Sequence, residues 1–474
     1  MADYKTPGVY VEEKKSFGSS IVANATAVPV FIGFTEDAIQ LNGKEINLVK
    51  DSSNVMEPVL IRSMLEYQQH FGGADTTGSI AVSETIDSET KVKTFSAKNK
   101  QDNSADAIDY KPGLMYPSVA NFFGNGGGSC YIVSIGEYKE YNPLNSKNVN
   151  LDFIKKAIEM AEQATLILPT DLIRYEMLDY YTWGTDLVNF CQEEKKYFCV
   201  LDVVQAEPNN PVYDEGDIND YREKVVPEYP SYAAAYFPYL KSLTTYAYKS
   251  DMSNVTFGGV LLTNKNMQNC VIEEIKNFLA INYINMPPSP FMAGIYSRLD
   301  NATGVWTPPA NTAPAGVVGP LVPLTNKQQE DLNVSITGKS VNAIRSFTGK
   351  GTLVWGARTN DGNSLDWRYI NVRRLFISME TDISKSLEAF VFKPNVHNTW
   401  VEVKTMIESY LFGLFNDGAF AGTTPAGSYQ VLIGVGETMT DVDVLNGYMR
   451  VSIQVAPVRP AEFIVLTFSQ MIGQ

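Results

Sequence analysis

The chain has 474 residues, enough for two or three domains, and its 44% hydrophobic and 19% charged content is globular and excludes general disorder. Its 38 basic and 53 acidic residues leave a formal charge of −15, which argues against nucleic acid as a partner, because that binding is driven by Lys and Arg neutralising phosphates. No run of about 18 apolar residues occurs and MADYKTPGVY has no apolar h-region, so neither direct membrane insertion nor the usual secretory route is expected.

The first element, YKTPGVYVEE from Tyr4 to Glu13, reads as a short strand. Pro7 and Gly8 punctuate it, and Val9 and Val11 alternate with Tyr10 and Glu12. A lone strand in water is unstable and must join a sheet, in its own subunit or in another. Residues 1–20 therefore read as an arm, ending in the flexible FGSS. TAVPVFIGF (26–34) is a buried strand by its apolar run. PVLIRSMLEYQQHF (58–71) predicts a helix entered by Pro58 and stopped by Gly72-Gly73. From about 74 to 112, Thr, Ser, Asp and Lys dominate, which predicts a surface insertion or long loop.

From residue 129 strands and helices alternate. SCYIVSI (129–135), TLIL (165–168) and YFCVLDVV (197–204) are apolar on both faces, with helices at about 151–161 and 177–195 between them. That pattern predicts a parallel sheet covered on both sides. A helix-rich stretch covers 266–281, and Ser289 is the expected N-cap of a helix begun by Pro290. Residues 305–325, rich in Pro and Gly, predict an irregular crossing. After GTLVWGART (351–359), two amphipathic helices are expected at about 373–392 and 399–415. Trp400, Val403, Ile407, Leu411 and Leu414 form the apolar stripe of the second. Strands at 428–435, 448–455 and 462–469 complete an α+β unit distinct from the α/β core.

The four cysteines, Cys130, Cys191, Cys199 and Cys270, form no C-x-x-C pair and read as buried free thiols of a protein made in a reducing cytoplasm. GNGGGS (124–129) precedes a strand instead of following one, so a turn is expected and not a dinucleotide site. Gly338-Lys339-Ser340 lacks the leading glycine of a P-loop, because Asn333 stands there. DVDVLNG (441–447) has Leu445 at a liganding position of a calcium loop and reads as a turn between strands. Only His70 and His397 are available as a base for a hydrolase triad, and neither sits beside a nucleophile motif. No catalytic residue, cofactor or metal ligand is expected.

With these elements placed, the chain resembles the tail sheath proteins of contractile phages, R-type pyocins and extracellular contractile injection systems. The resemblance is carried by TPGVYVEE, TAVPVFIGFT, FFGNGGGSCYIVSI, SYAAAYFPYL, PPSPFMAGIYSRLDNATGVWTPPAN, GKGTLVWGART, YINVRRLFISME, FKPNVHNTWVEV and SIQVAPVRPAEFIV. It implies a subtilisin-like α/β core without catalytic residues, an α+β C-terminal domain, and extended N- and C-terminal arms. Residues 1–20 would be an N-terminal exchange arm, and 21–112 an N-terminal part with a variable surface insertion at about 74–112. Residues 113–360 would be the sheath core, and 361–474 the tube-proximal domain with a terminal exchange strand.

The implied function is a structural, non-enzymatic subunit that polymerises around a rigid inner tube and contracts to drive it through a target envelope. The implied partners are further copies in a helical stack of rings, six-fold by the resemblance, with an inner tube protein and baseplate and tail terminator proteins. Assembly would occur in a bacterial cytoplasm, as part of a phage tail or phage-tail-like particle that can be released outside the cell. Composition leaves open whether the terminal strands pair within their own subunit. The resemblance favours exchange between subunits through Tyr4, Val9, Tyr10, Val11 and Glu12 at one end and Phe463, Ile464, Val465, Leu466 and Phe468 at the other, with hinges at 14–20 and 456–461. Glu402, Lys404 and Glu408 are the candidate tube contacts. The rival classes are a hydrolase-like α/β enzyme and a monomeric surface-binding module.

Overall fold

The computed structural model describes residues 21–39, 56–89, 93–101, 110–143, 145–146, 149–207 and 209–463. They fall into two compact units: 24–378 with 459–463, and 379–458 with 21–23. The first unit opens with β1 (Pro29–Thr35), β2 (Val59–Ile61), α1 (Met64–Phe71), β3 (Ser79–Ile86) and β4 (Lys93–Lys100). It continues through α2 (Met115–Gly124), β5 (Cys130–Glu137), α3 (Leu151–Met160), β6 (Leu166–Leu168), α4 (Met177–Glu194) and β7 (Phe198–Asp202). Then follow α5 (Glu215–Lys224), β8 (Ala233–Phe237), β9 (Leu240–Thr245), β10 (Val255–Phe257), β11 (Val260–Leu261), α6 (Asn269–Leu279) and β12 (Tyr283–Met286). It ends with α7 (Ser289–Thr303), β13 (Val317–Pro320), α8 (Asn326–Asn333), β14 (Asn342–Phe347) and β15 (Gly351–Val354). The unit boundary falls inside α9 (Ile370–Leu387).

Eight strands form the central sheet in the order β15-β14-β8-β7-β6-β1-β5-β2. The pairs from β14 to β5 are parallel, and β15 and β2 close the two ends antiparallel. The expected α/β core is therefore present. Every residue of β1, β6, β7 and β8 is buried, which is why these strands read as continuous apolar runs. Close approach of α7 to α2 depends on Gly294, where a Cβ would lie 2.5 Å from the Phe122 carbonyl oxygen. A smaller antiparallel sheet runs β12-β9-β13, so part of the expected irregular crossing at 305–325 is strand.

Three expectations are corrected here. Residues 59–61 are not helical; they pair antiparallel with β5, and α1 begins only at Met64, where the Ser63 hydroxyl accepts from the Glu66 N–H at 3.2 Å. Within 74–112, strand stands at Ser79–Ile86 and Lys93–Lys100 where a long loop is one of the two readings. Strands β3 and β4 pair from Ser79↔Lys100 to Ile86↔Lys93 and continue a four-stranded sheet, β11-β10-β3-β4. Ile80 and Val82 from this stretch pack with Met252, Val255, Leu262, Ile275 and Leu279 in a separate small core.

The third correction is Ser289. Pro288 is the N-cap of α7, and Ser289 is its first residue. Its N–H donates to Asp202 Oδ1 at 2.8 Å and its hydroxyl to Oδ2 at 2.5 Å. Asp202, at the end of β7, thus serves the helix start from a distant strand. Burial pushes its carboxyl up to about 7, against the pull of the two Ser289 hydrogen bonds. Between about pH 4 and 7 the folded chain then holds a proton that the unfolded chain releases, so stability falls as pH rises through that window, by up to about 1.4 kcal/mol per unit. Urea unfolding should show this decline in the wild type and a flatter profile in Asp202→Asn. Parallel profiles would mean that Asp202 titrates alike in both states.

The described C-terminal unit contains α10 (His397–Asn416), the short α11 (Pro425–Ser428), β16 (Tyr429–Leu432), α12 (Asp441–Leu445) and β17 (Ser452–Val455). The stripe expected on α10 is inward: Val403, Ile407 and Leu411 are buried, and Trp400 and Leu414 half-buried. The turn expected at 441–447 is a helix, α12, because Thr440 and Asp443 form a reciprocal capping box. Asp443 also pairs with Arg450 at 3.2 Å. No helix among the described residues is long and apolar enough to cross a membrane.

Candidate subunit interface

Strands β16 and β17 pair antiparallel from Tyr429↔Val455 to Leu432↔Ser452, and α10 packs against β16. Beyond β17 the chain turns to a second partner: Ala421 N–H donates to Ala456 O at 2.8 Å and Val458 N–H to Ala419 O at 3.1 Å. Among the described residues β16 and β17 gain no third strand. Two four-residue strands are marginal alone, and three or more are the usual minimum for an independently stable sheet. The third strand expected here, at 462–469, is described only at Glu462 and Phe463, which are not in strand conformation.

Tyr4, Val9, Tyr10, Val11, Glu12, Ile464, Val465, Leu466 and Phe468 lie outside the described residues. Phe463 is 72% exposed. Directly before it, Glu462 is gripped by a buried guanidinium. Arg358 Nε donates to Glu462 Oε1 at 2.9 Å and Nη2 to Oε2 at 2.5 Å, and the Tyr369 hydroxyl donates to Oε2 at 3.3 Å. Arg358 is fixed in turn by the Gly362 carbonyl on Nη1, 3.0 Å, and by Asn342, which accepts from its N–H and donates to its carbonyl at 2.8 Å each. Sequence reasoning missed this clamp because its two halves are 104 residues apart, and neither carries a local signal.

The structure does not bring the three charges expected on α10 together. Glu402 is exposed and pairs with Lys393 of its own unit at 3.3 Å. Lys404 and Glu408 are half-buried and lie roughly 160° and 120° around the helix from Glu402. Glu408 faces Tyr429, whose pKa is raised by burial and then by this carboxylate.

The residues considered for chemistry have structural engagements. A ring nitrogen of His70, Nδ1, lies 2.9 Å from the Ile39 carbonyl, and His397 opens α10 against the Trp400 ring. Cys130, Cys191 and Cys199 are buried and free; Cys270, also free, is exposed. Among the described residues no group of three His, Cys, Asp or Glu could hold a metal ion. Lys339 donates to the carbonyls of Arg222 and, at 2.7 Å, Val225, capping the C-terminus of α5. Burial lowers its pKa. A Lys339→Met chain should lose about 1–3 kcal/mol of stability through those carbonyls. Neither it nor the wild type should hydrolyse nucleotide. Magnesium-dependent turnover that disappears in Lys339→Met would overturn this assignment.

The model of the phage tail sheath C-terminal domain matches residues 363–470. The tail sheath protein of Enterobacteria phage T4 is 24% identical over 183 residues, 39% of this chain and 27% of that protein. The tail sheath protein of Vibrio phage KVP40 is 26% identical over 186 residues, 39% of this chain and 26% of that protein. The matched part thus spans about a quarter of these relatives' length. Likeness to solved structures is end to end. A chain of the anti-feeding prophage (AFP) baseplate shares 28% identity with a TM-score of 0.64, covering 99% of this chain and 100% of that one. A chain of the PVC sheath complex of an extracellular contractile injection system, in the contracted state, shares 28% with a TM-score of 0.63, covering 100% and 99%. The contracted AFP helical sheath shares 27% with a TM-score of 0.63, covering 99% and 100%. Over its whole length the chain is thus similar to contractile sheath chains, and residues 363–470 match the phage tail sheath C-terminal domain.

Proposed function

We propose that this chain is a structural subunit that polymerises into a contractile sheath around a rigid inner tube and, on contraction, drives the tube through a target envelope. One observation carries the reading: among the described residues the C-terminal unit presents a sheet of two short strands, β16 and β17, in a chain that matches sheath chains over its whole length. Strands from two neighbouring copies complete that sheet by β-augmentation, one from the N-terminal arm around Val9–Glu12 and one from the segment after Phe463. These contacts hold through contraction, while contacts between the α/β units of neighbouring copies have two arrangements and store the energy of the extended state.

The copies form a helical stack of six-fold rings, with baseplate and terminator proteins at its ends. Assembly takes place in a bacterial cytoplasm, in a phage tail or phage-tail-like particle. The domain spanning 361–474 contacts the tube, with Glu402, Lys404 and Glu408 as candidate charges. Co-expression with the tube protein of the same particle, followed by electron microscopy, tests the reading. Hollow helical cylinders are expected, and a monodisperse monomer under all conditions would overturn it.

A further inference from the structure

The chain leaves the C-terminal unit at Val458, whose N–H is bonded to Ala419 O, and four residues later Glu462 enters the Arg358 clamp. The side chain of Arg358 is 3% exposed and that of Glu462 is 14% exposed. Withdrawing Glu462 would leave a buried guanidinium without its counterion, a far costlier state than opening an ion pair at the surface. The fork geometry adds selectivity, since both carboxylate oxygens are engaged and Tyr369 adds a third donor. Arg358 is also held by Gly362 and Asn342, through bonds that do not run through Glu462. Phe463, the next residue, is out in solvent.

On the sheath-subunit reading, we propose that the Arg358–Glu462 pair is the fixed anchor of the C-terminal arm, and that the exchanged strand swings from Phe463. The segment 456–461 is then not the hinge. Its first part is hydrogen-bonded in the C-terminal unit, and its end is tethered through Glu462. The anchor fixes where the arm leaves the subunit, and therefore which neighbouring sheet it can reach at a given length.

A glutamate-specific endoprotease must draw the Glu side chain into its own pocket, so it reads the clamp directly. In the full-length chain, cleavage after Glu462 should be slow. In Arg358→Met it should be faster by about tenfold or more, with cleavage after the exposed Glu402 unchanged. Arg358→Lys, which keeps the charge and loses the fork, should be intermediate and guards against a fold defect in the Met variant. Mixed with tube protein, Arg358→Met should yield about fivefold less sedimentable sheath than the wild type, because every arm then starts from a wandering origin. Equal cleavage after Glu462 in the wild type and Arg358→Met, or equal sheath yield, would overturn the anchor. A wild-type chain that resists cleavage at Glu462 yet forms no sheath would count against the subunit reading and leave the clamp standing.

Discussion

A chain lacking residues 1–18 is expected to purify as a folded, soluble monomer and to form no sheath with the tube protein. Among the described residues the main core begins at Ala27 and the small core at Ile80. What the deletion removes is a candidate third strand for β16 and β17. A strand of about seven residues contributes backbone hydrogen bonds worth about 1 kcal/mol each, together with the apolar burial of Val9 and Val11 at about 25 cal/mol per Å². Even about 4 kcal/mol lost at each junction is about a thousandfold in affinity, and a lattice repeats that loss at every copy. Light scattering on the purified monomer and electron microscopy of the mixture read the two halves of the result. Sheaths of ordinary length from the truncated chain would show that the arm is not a link between copies.

How much of this was legible in the sequence depended on how local the determining contacts are. The strands at 129–135, 165–168 and 197–204 were readable because a central parallel strand is apolar on both faces. The α10 stripe was readable because Val403, Ile407 and Leu411 repeat at helical spacing. The β3–β4 hairpin was not. Besides Ser79, only Ile80 and Val82 of its residues are buried, and the apolar partners they need come from Met252 to Leu279. Ser289 looked like a cap because local pattern favours Ser before Pro. Its hydroxyl instead answers a carboxylate 87 residues away. At the candidate interface, the acid and base types on α10 were visible, but their partners were not. Lys393 takes Glu402 across a loop, and the buried Arg358 that holds Glu462 lies in a segment 104 residues away.

Arg174→Ala should be the most destabilising single substitution in the chain, by about 3–5 kcal/mol, a large part of the 5–15 kcal/mol typical of a domain. Its side chain is 1% exposed and lies between two buried carboxylates, Asp171 at 3.0 Å and Asp75 at 3.9 Å. Nε and Nη2 donate to the Lys111 carbonyl at 3.0 and 2.5 Å, and the guanidinium lies 3.6 Å from the centre of the Tyr141 ring. The carboxylates are themselves structural. Asp171 accepts from the N–H groups of Phe34 and Leu114, fixing the end of β1 and the entry to α2. Asp75 accepts from Thr77, Tyr110 and Gly113, closing the root of the β3–β4 hairpin. Without Arg174, two negative charges remain buried with no cation between them, and both junctions must loosen to admit water. Arg174→Lys keeps one charge but cannot fork to Asp171 and the Lys111 carbonyl while stacking on Tyr141, so it should fall between wild type and Ala. Denaturant unfolding gives the order, and hydrogen exchange over 75–113 gives the place, with the hairpin root opening first. A wild-type unfolding midpoint in Arg174→Ala would mean that water already reaches these carboxylates and that the cation between them is dispensable.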